Sequence, residues 1–142
     1  PKFLRVRTFL YPLLLAALGI GFLLVLSTKY AFDVRVIRGA GNPFHRAGDA
    51  TIVNNFRMRL TNRTDDPRQY QMEVLQPAGA QILTEDKDSI QLDASGTQLF
   101  PVSVQVPATE FGPLGQSKAE IKVTDDIGNE QTVTMKLLGP RQ

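Results

Sequence analysis

At 142 residues, with about 30 given to an apolar N-terminal run, the chain has room for one further domain of just over a hundred residues and not for two. It contains no cysteine and no tryptophan, which excludes disulfides, thiolate nucleophiles and Cys-ligated zinc or iron–sulfur clusters within this polypeptide. Lys2, Arg5, Arg7 and Lys29 supply four cations with no acid among the first 29 residues, so Tyr30–Gln142 holds 12 basic and 14 acidic residues; a domain this close to neutrality gives no electrostatic ground for nucleic acid as a partner.

Residues 1–7 read as a basic cytoplasmic leader and residues 8–29 as a transmembrane helix. From Thr8 to Thr28 the chain carries no charged side chain in 21 residues, which at about 1.5 Å per residue reaches the roughly 30 Å of a bilayer's hydrocarbon core. Tyr11 and Tyr30 bracket the run where amphipathic rings favour headgroups. Pro12 is expected in the first turn, where a missing N–H costs little. A cleaved signal peptide is the alternative, but the apolar run is long and no A-x-A-like site follows Ser27. The absent initiator Met fits either trimming before a small residue or a chain that is part of a longer protein. Three cations precede the span, and Lys29, Arg35 and Arg38 follow it closely. The leader's unbroken positive charge favours the N-terminus inside and the domain outside. Within the span, Ala17 and Gly21 stand four apart, and Ala16 and Gly19 add a second small patch where another helix could approach.

After Lys29 the apolar period becomes two, as in strands with one buried face. Phe32, Val34 and Val36 alternate with Asp33 and Arg35 until Gly39–Pro43 interrupts them. Ile52, Phe56, Met58 and Leu60 then face one way, Arg57 and Arg59 the other, before a turn over Asn62–Pro67. Tyr70, Met72 and Val74 form the next alternation. Short segments at Ile82–Leu83 and Ile90–Leu92 flank the acidic loop Glu85–Asp88. Phe100, Val102, Val104 and Val106 follow, with Pro101 predicting an edge position or a strand start. Beyond the Pro107–Gly115 loop come Ala119, Ile121 and Val123, a hairpin turn at Asp125–Glu130, and Val133, Met135 and Leu137. About seven short strands with no helical period after residue 30 predict an all-β immunoglobulin-like sandwich over residues 30–142.

No catalytic constellation accompanies this pattern. His45 is the one histidine, expected in the Asn42–Gly48 loop near the membrane-facing end of the domain, and a single ligand does not make a metal site. Ser89, Ser95, Ser103 and Ser117 lie in no G-x-S-x-G elbow. The carboxylates at Asp65–Asp66, Glu85–Asp88 and Asp125–Asp126 fall where turns are expected, and Asn62-Arg63-Thr64, although it matches a glycosylation sequon, reads as turn chemistry. Gly39-Ala40-Gly41 lacks the following helix that a phosphate cradle needs. No cofactor or metal is expected.

The segments Asp33–Arg38, Asn42–Arg46, Asp49–Phe56 and Leu60–Thr64, with Tyr70 beyond, resemble in order and spacing the C-terminal part of the FixG/CcoG family, which accompanies assembly of cbb3-type cytochrome oxidase. Asp49-Ala50 stands where the family tends to have Asp-Gly, and Phe56 where a Tyr is usual. The resemblance implies a last span followed by an immunoglobulin-like periplasmic domain in a bacterial inner membrane. The family's further spans and cysteine-rich ferredoxin-like region have no counterpart here, so its redox chemistry transfers to no residue of this chain. The expectation is a non-catalytic structural or assembly subunit of a respiratory oxidase or photosynthetic complex, embedded in the lipid bilayer. Its helix contacts would use Ala16, Ala17, Gly19 and Gly21, and its domain contacts Asn42, Pro43, Phe44, His45, Arg46, Phe111, Pro113 and Leu114. The alternative is part of a metal-handling assembly factor that acts transiently in oxidase maturation.

Overall fold

The computed structural model describes residues 6–27 and 29–141. Helix α1 (Val6–Ser27) is long and apolar enough to cross a membrane, and none of its residues is buried. Residues 1–5 of the expected leader lie outside the described residues, and Val6 and Arg7 are already helical. Thr28 is likewise outside them, so the helix observed within the expected 8–29 span ends at Ser27. Because α1 includes Val6, Pro12 stands beyond the first turn, where its missing N–H leaves the Thr8 carbonyl without its helical donor. Spans tolerate such a proline where neighbouring helices, Ser or Thr hydroxyls or a local adjustment of the helix satisfy the freed carbonyl.

A second unit begins at Ala31. Its organising strand is β3 (Thr51–Asn62), because Phe56, Met58 and Leu60 bury one face while Arg57 and Arg59 keep the other wet. On one side of it run β1 (Phe32–Arg38) and β2 (Phe44–Arg46), both antiparallel to it. Arg38 pairs with Phe56 and Phe44 with Asn54, so β1 and β2 act as one edge strand from which residues 39–43 loop out. The loop Asn42–Gly48 expected from sequence is thus partly strand: Asn42 and Pro43 are loop, and Phe44–Arg46 is recruited by the otherwise unpaired edge of β3.

On the other side of β3 lies β7 (Thr97–Pro107), then the two-residue β5 (Gln81–Ile82). Pro101 therefore sits inside β7 rather than at its start, but at a local edge position as expected, because β5 pairs only with Val104 and Gln105. Its carbonyl faces away from β3 and accepts from Thr84 Oγ1 at 3.3 Å, so its missing N–H points to the stretch that β5 is too short to cover.

The second sheet orders β6 (Ile90–Leu92), β4 (Arg68–Gln76), β8 (Gln116–Asp125) and β9 (Glu130–Leu138). With β2 and β5 counted, the sandwich has nine strands where the pattern predicts about seven. Its core lies between the sheets: Met58, Leu60, Val102, Val104 and Val106 from one meet Ala119, Ile121, Val123 and Leu137 from the other. Phe32 and Tyr70 close one end edge-to-face, with ring centroids 5.1 Å apart.

Candidate interaction surfaces

The helix presents its small residues on two faces. At about 100° per residue, Ala17 and Gly21 point within about 40° of each other, while Ala16 and Gly19 centre about 150° away. These four residues thus form two patches, and a single partner helix meets one of them. A Cβ built on Gly19 or Gly21 touches nothing within 4 Å, so neither glycine is required for packing within the chain.

In the domain, the β3–β7 register brings the two expected contact segments to one end. Thr51 pairs with Pro107, and Ala108 N–H donates to the Ala50 carbonyl at 2.8 Å, which sets the loop after β7 beside the β2–β3 turn. The chain enters the domain at the other end, where Phe32 pairs with Asn62. His45 pairs with Val53, nine residues along β3 from Asn62 and about 30 Å from that entry point, rather than near it. It is exposed, with Nδ1 3.5 Å from Asn55 Nδ2.

Within the other segment, Phe111 is only 4% exposed and belongs to the core, so it is not a contact residue. Gly139 explains why: a Cβ there would stand 2.8 Å from the Phe111 ring, and only hydrogen lets the ring lie against the backbone. Pro113 and Leu114 are exposed, Leu114 by 71%, so the loop offers these two outward.

Of the carboxylates expected at turns, Asp125 is bound into its own. Asp125 Oδ1 accepts from the N–H groups of Ile127 and Asn129 at 3.2 and 2.7 Å, and Oδ2 from Asn129 Nδ2 at 2.7 Å. Asn62 is buried and fully engaged: Nδ2 donates to the Asp66 and Asp93 carbonyls, and Oδ1 accepts from Thr64 N–H and Oγ1. Its amide has no exposure for a glycan. Among the described residues no three His, Cys, Asp or Glu side chains gather as a metal site. A cleft of about 540 Å³ bounded by β4, β5, β8, Lys87 and Asp88 includes Lys122, which lies 3.2 Å from Glu73 Oε2 and 3.8 Å from Glu130 Oε1. Those two carboxylates hold the Lys122 ammonium above its ordinary pKa, the Glu73 hydrogen bond being the largest cause.

One arrangement has no counterpart in the sequence pattern. On the outer face of the first sheet, Arg35, Arg59 and Leu99 form one cross-strand rank and Ile37, Arg57 and Pro101 the next. The alternation signal for these arginines is plain in β3, but their assembly depends on a register between segments far apart in the chain.

The family model for the IG-like fold at the C-terminal of FixG matches residues 22–140. No curated protein matches the sequence. Among solved structures, the crystal structure of a FixG-related protein from Vibrio parahaemolyticus is similar with a TM-score of 0.67 at 17% identity, covering 78% of this chain and 98% of that one. A copper-bound PCuAC domain from PmoF2 is similar at a TM-score of 0.49 and 15% identity, covering 78% of this chain and 95% of that one. The first likeness is one of fold, and the second is too distant to inform the site. With its match running from within α1 to the last strand, the chain belongs to the family that carries the immunoglobulin-like fold of the FixG C-terminus.

Proposed function

We propose that this chain is a non-catalytic, membrane-anchored structural or assembly subunit of a bacterial membrane electron-transfer complex, a respiratory oxidase or a photosynthetic complex. The observation that carries this reading is the union of an apolar helix with no buried residue and a FixG-type immunoglobulin-like domain in which Asp125 is committed to its turn and Asp33, Glu73 and Glu130 to ion pairs. The helix crosses the inner membrane with its N-terminus in the cytoplasm and packs on partner helices through one of its two small patches. The domain lies on the periplasmic side and offers Asn42, Pro43 and the exposed Pro113–Leu114 tip at the end remote from its tether. Loops and edge strands are the usual docking elements of such sandwiches.

The test is gentle solubilisation of native membranes, affinity capture of the chain, and identification of what stays bound together with its visible absorption spectrum. Stoichiometric recovery of a haem- or chlorophyll-containing complex is the expected result. Recovery of the chain alone, or with traces of an oxidase lacking its metals, would overturn a permanent subunit role in favour of transient assembly work.

A further inference from the structure

The near-neutral domain is electrostatically divided. Residues 31–63 hold six arginines, no lysine and two aspartates, whereas residues 64–142 hold six cations against twelve acids. Sheet register gathers part of this excess: Arg35 lies directly opposite Arg59, and Arg57 lies between Ile37 and Pro101. Like charges directly opposite each other destabilise a strand pair. Arg35 is relieved by Asp33, with Nε 3.0 Å from Oδ2, but among the described residues neither Arg57 nor Arg59 has an ion-pair partner. The second sheet also carries an opposed pair, Lys118 and Lys136, yet its central Lys122 is neutralised by two glutamates. On the first sheet the arginines are interleaved with exposed aliphatics, Ile37 at 40% and Leu99 at 47%. The result is a face of guanidinium forks and short apolar side chains whose own strands carry one acid there, Asp33, with Glu85 and Asp86 at the rim beside Pro101 and Ser103.

We propose that this face docks on anionic phospholipid headgroups of the bilayer that holds α1. Guanidinium forks match phosphate oxygens in bidentate geometry, and Ile37 and Leu99 suit the apolar layer just beneath. The chain itself supplies the proximity: residues 28–31 alone separate Ser27 from β1, a strand of this same sheet, so under about 20 Å of chain ties the domain to the membrane. Such a tether keeps the lipid at high effective concentration, so weak contacts suffice. Each arginine near an anionic surface contributes about fivefold to association, so Arg57 and Arg59 together contribute about twenty-five-fold, an attraction that salt screens. This inference does not rest on the subunit role proposed above.

The test uses the full chain in nanodiscs of phosphatidylglycerol and phosphatidylcholine that contain a headgroup nitroxide lipid, read by amide NMR. The amides of Ile37, Arg57 and Leu99 should broaden, while those of Glu73, Lys122 and Thr132 on the opposite face should not. The double variant Arg57→Gln/Arg59→Gln should lose the broadening while keeping its dispersed spectrum, as should nanodiscs of phosphatidylcholine alone. Equal broadening of both faces, or broadening that survives either change, would overturn the proposal. So would an absence of broadening on the arginine face, which would leave that surface free for an acidic protein.

Discussion

Asn54 and Leu138 lie 84 residues apart and on different sheets, yet Asn54 Oδ1 accepts the Leu138 backbone N–H at 2.8 Å. The bond joins the centre of one sheet to the last residue of the free edge strand of the other, and Asn54 is fully buried. Truncating it leaves a half-buried donor without a partner but also removes Asn54 Nδ2, a buried donor with no partner among the described residues, so Asn54→Ala should cost about 1 kcal/mol. Urea unfolding measures the loss, and faster hydrogen exchange at Leu138 than at Ala119 in the same variant assigns it to this bond.

Asn62 makes a comparable case at the opposite end. Its side chain ties the turn to both the Asp66 and Asp93 carbonyls, at 2.7 and 3.0 Å, while receiving two bonds from Thr64. Asn62→Asp keeps the acceptor but removes both donors and buries a charge. It should lower stability by about 2–4 kcal/mol, more than Thr64→Ala, which loses one hydroxyl. A smaller effect for Asn62→Asp than for Thr64→Ala in chemical denaturation would contradict this account.

These residues also mark what a sequence can disclose. The alternation of Phe56, Met58 and Leu60 with arginines reports burial locally, so the strands, the sandwich and the turn role of Asn62 are legible in the letters. Phe44–Arg46 has no period of its own and becomes a strand only because β3 leaves an edge open beyond Phe56. Phe111 reads as an exposed loop aromatic because the glycine that admits it, Gly139, lies 28 positions later. The arginine face vanished into a near-zero net charge, since opposite excesses in two halves of the domain cancel when counted together. Local periodicity survives in one dimension; pairing partners and charge distribution need the register.

Gly115 is required twice over. Its φ of +64° is costly for a residue with a Cβ, and that Cβ would drive into the carbonyls of Gly139 and Pro140. Gly128 has a φ of +95° but open space around it. Gly128→Ala should therefore cost about 1–2 kcal/mol, the conformational penalty alone. Gly115→Ala should cost more, because the loop must also shift from the last strand. Thermal unfolding of the two variants side by side checks the order.

The two small patches of α1 make separable predictions. Gly21→Leu blocks close approach at the face shared with Ala17, and Gly19→Leu at the face shared with Ala16, while neither meets an obstacle within the chain. Co-purification of partner helices should fall for one variant and persist for the other, with the domain's unfolding curve unchanged in both. Unchanged recovery in both variants would remove the helix contact from the proposed function.

Tyr70 gives the domain an alkaline limit. The side chain is 1% exposed, and its hydroxyl has no hydrogen-bond partner among the described residues. Burial first, then the charges of Asp125 and Asp126, push its pKa up from 10.0 to about 12, only partly offset by Arg68. The folded state thus holds the proton more tightly than the unfolded state. Stability from this group is complete below pH 10, declines as the pH rises through the interval to about 12, and is gone above it. Tyr70→Phe keeps the edge contact with Phe32 and removes both the ionisation and an unpartnered buried hydroxyl, so near neutrality it should be neutral or mildly stabilising. Unfolding free energies at pH 8 and pH 11 decide the matter: wild type should weaken between them and Tyr70→Phe should weaken less. Parallel losses in the two proteins would show that another group sets the alkaline limit.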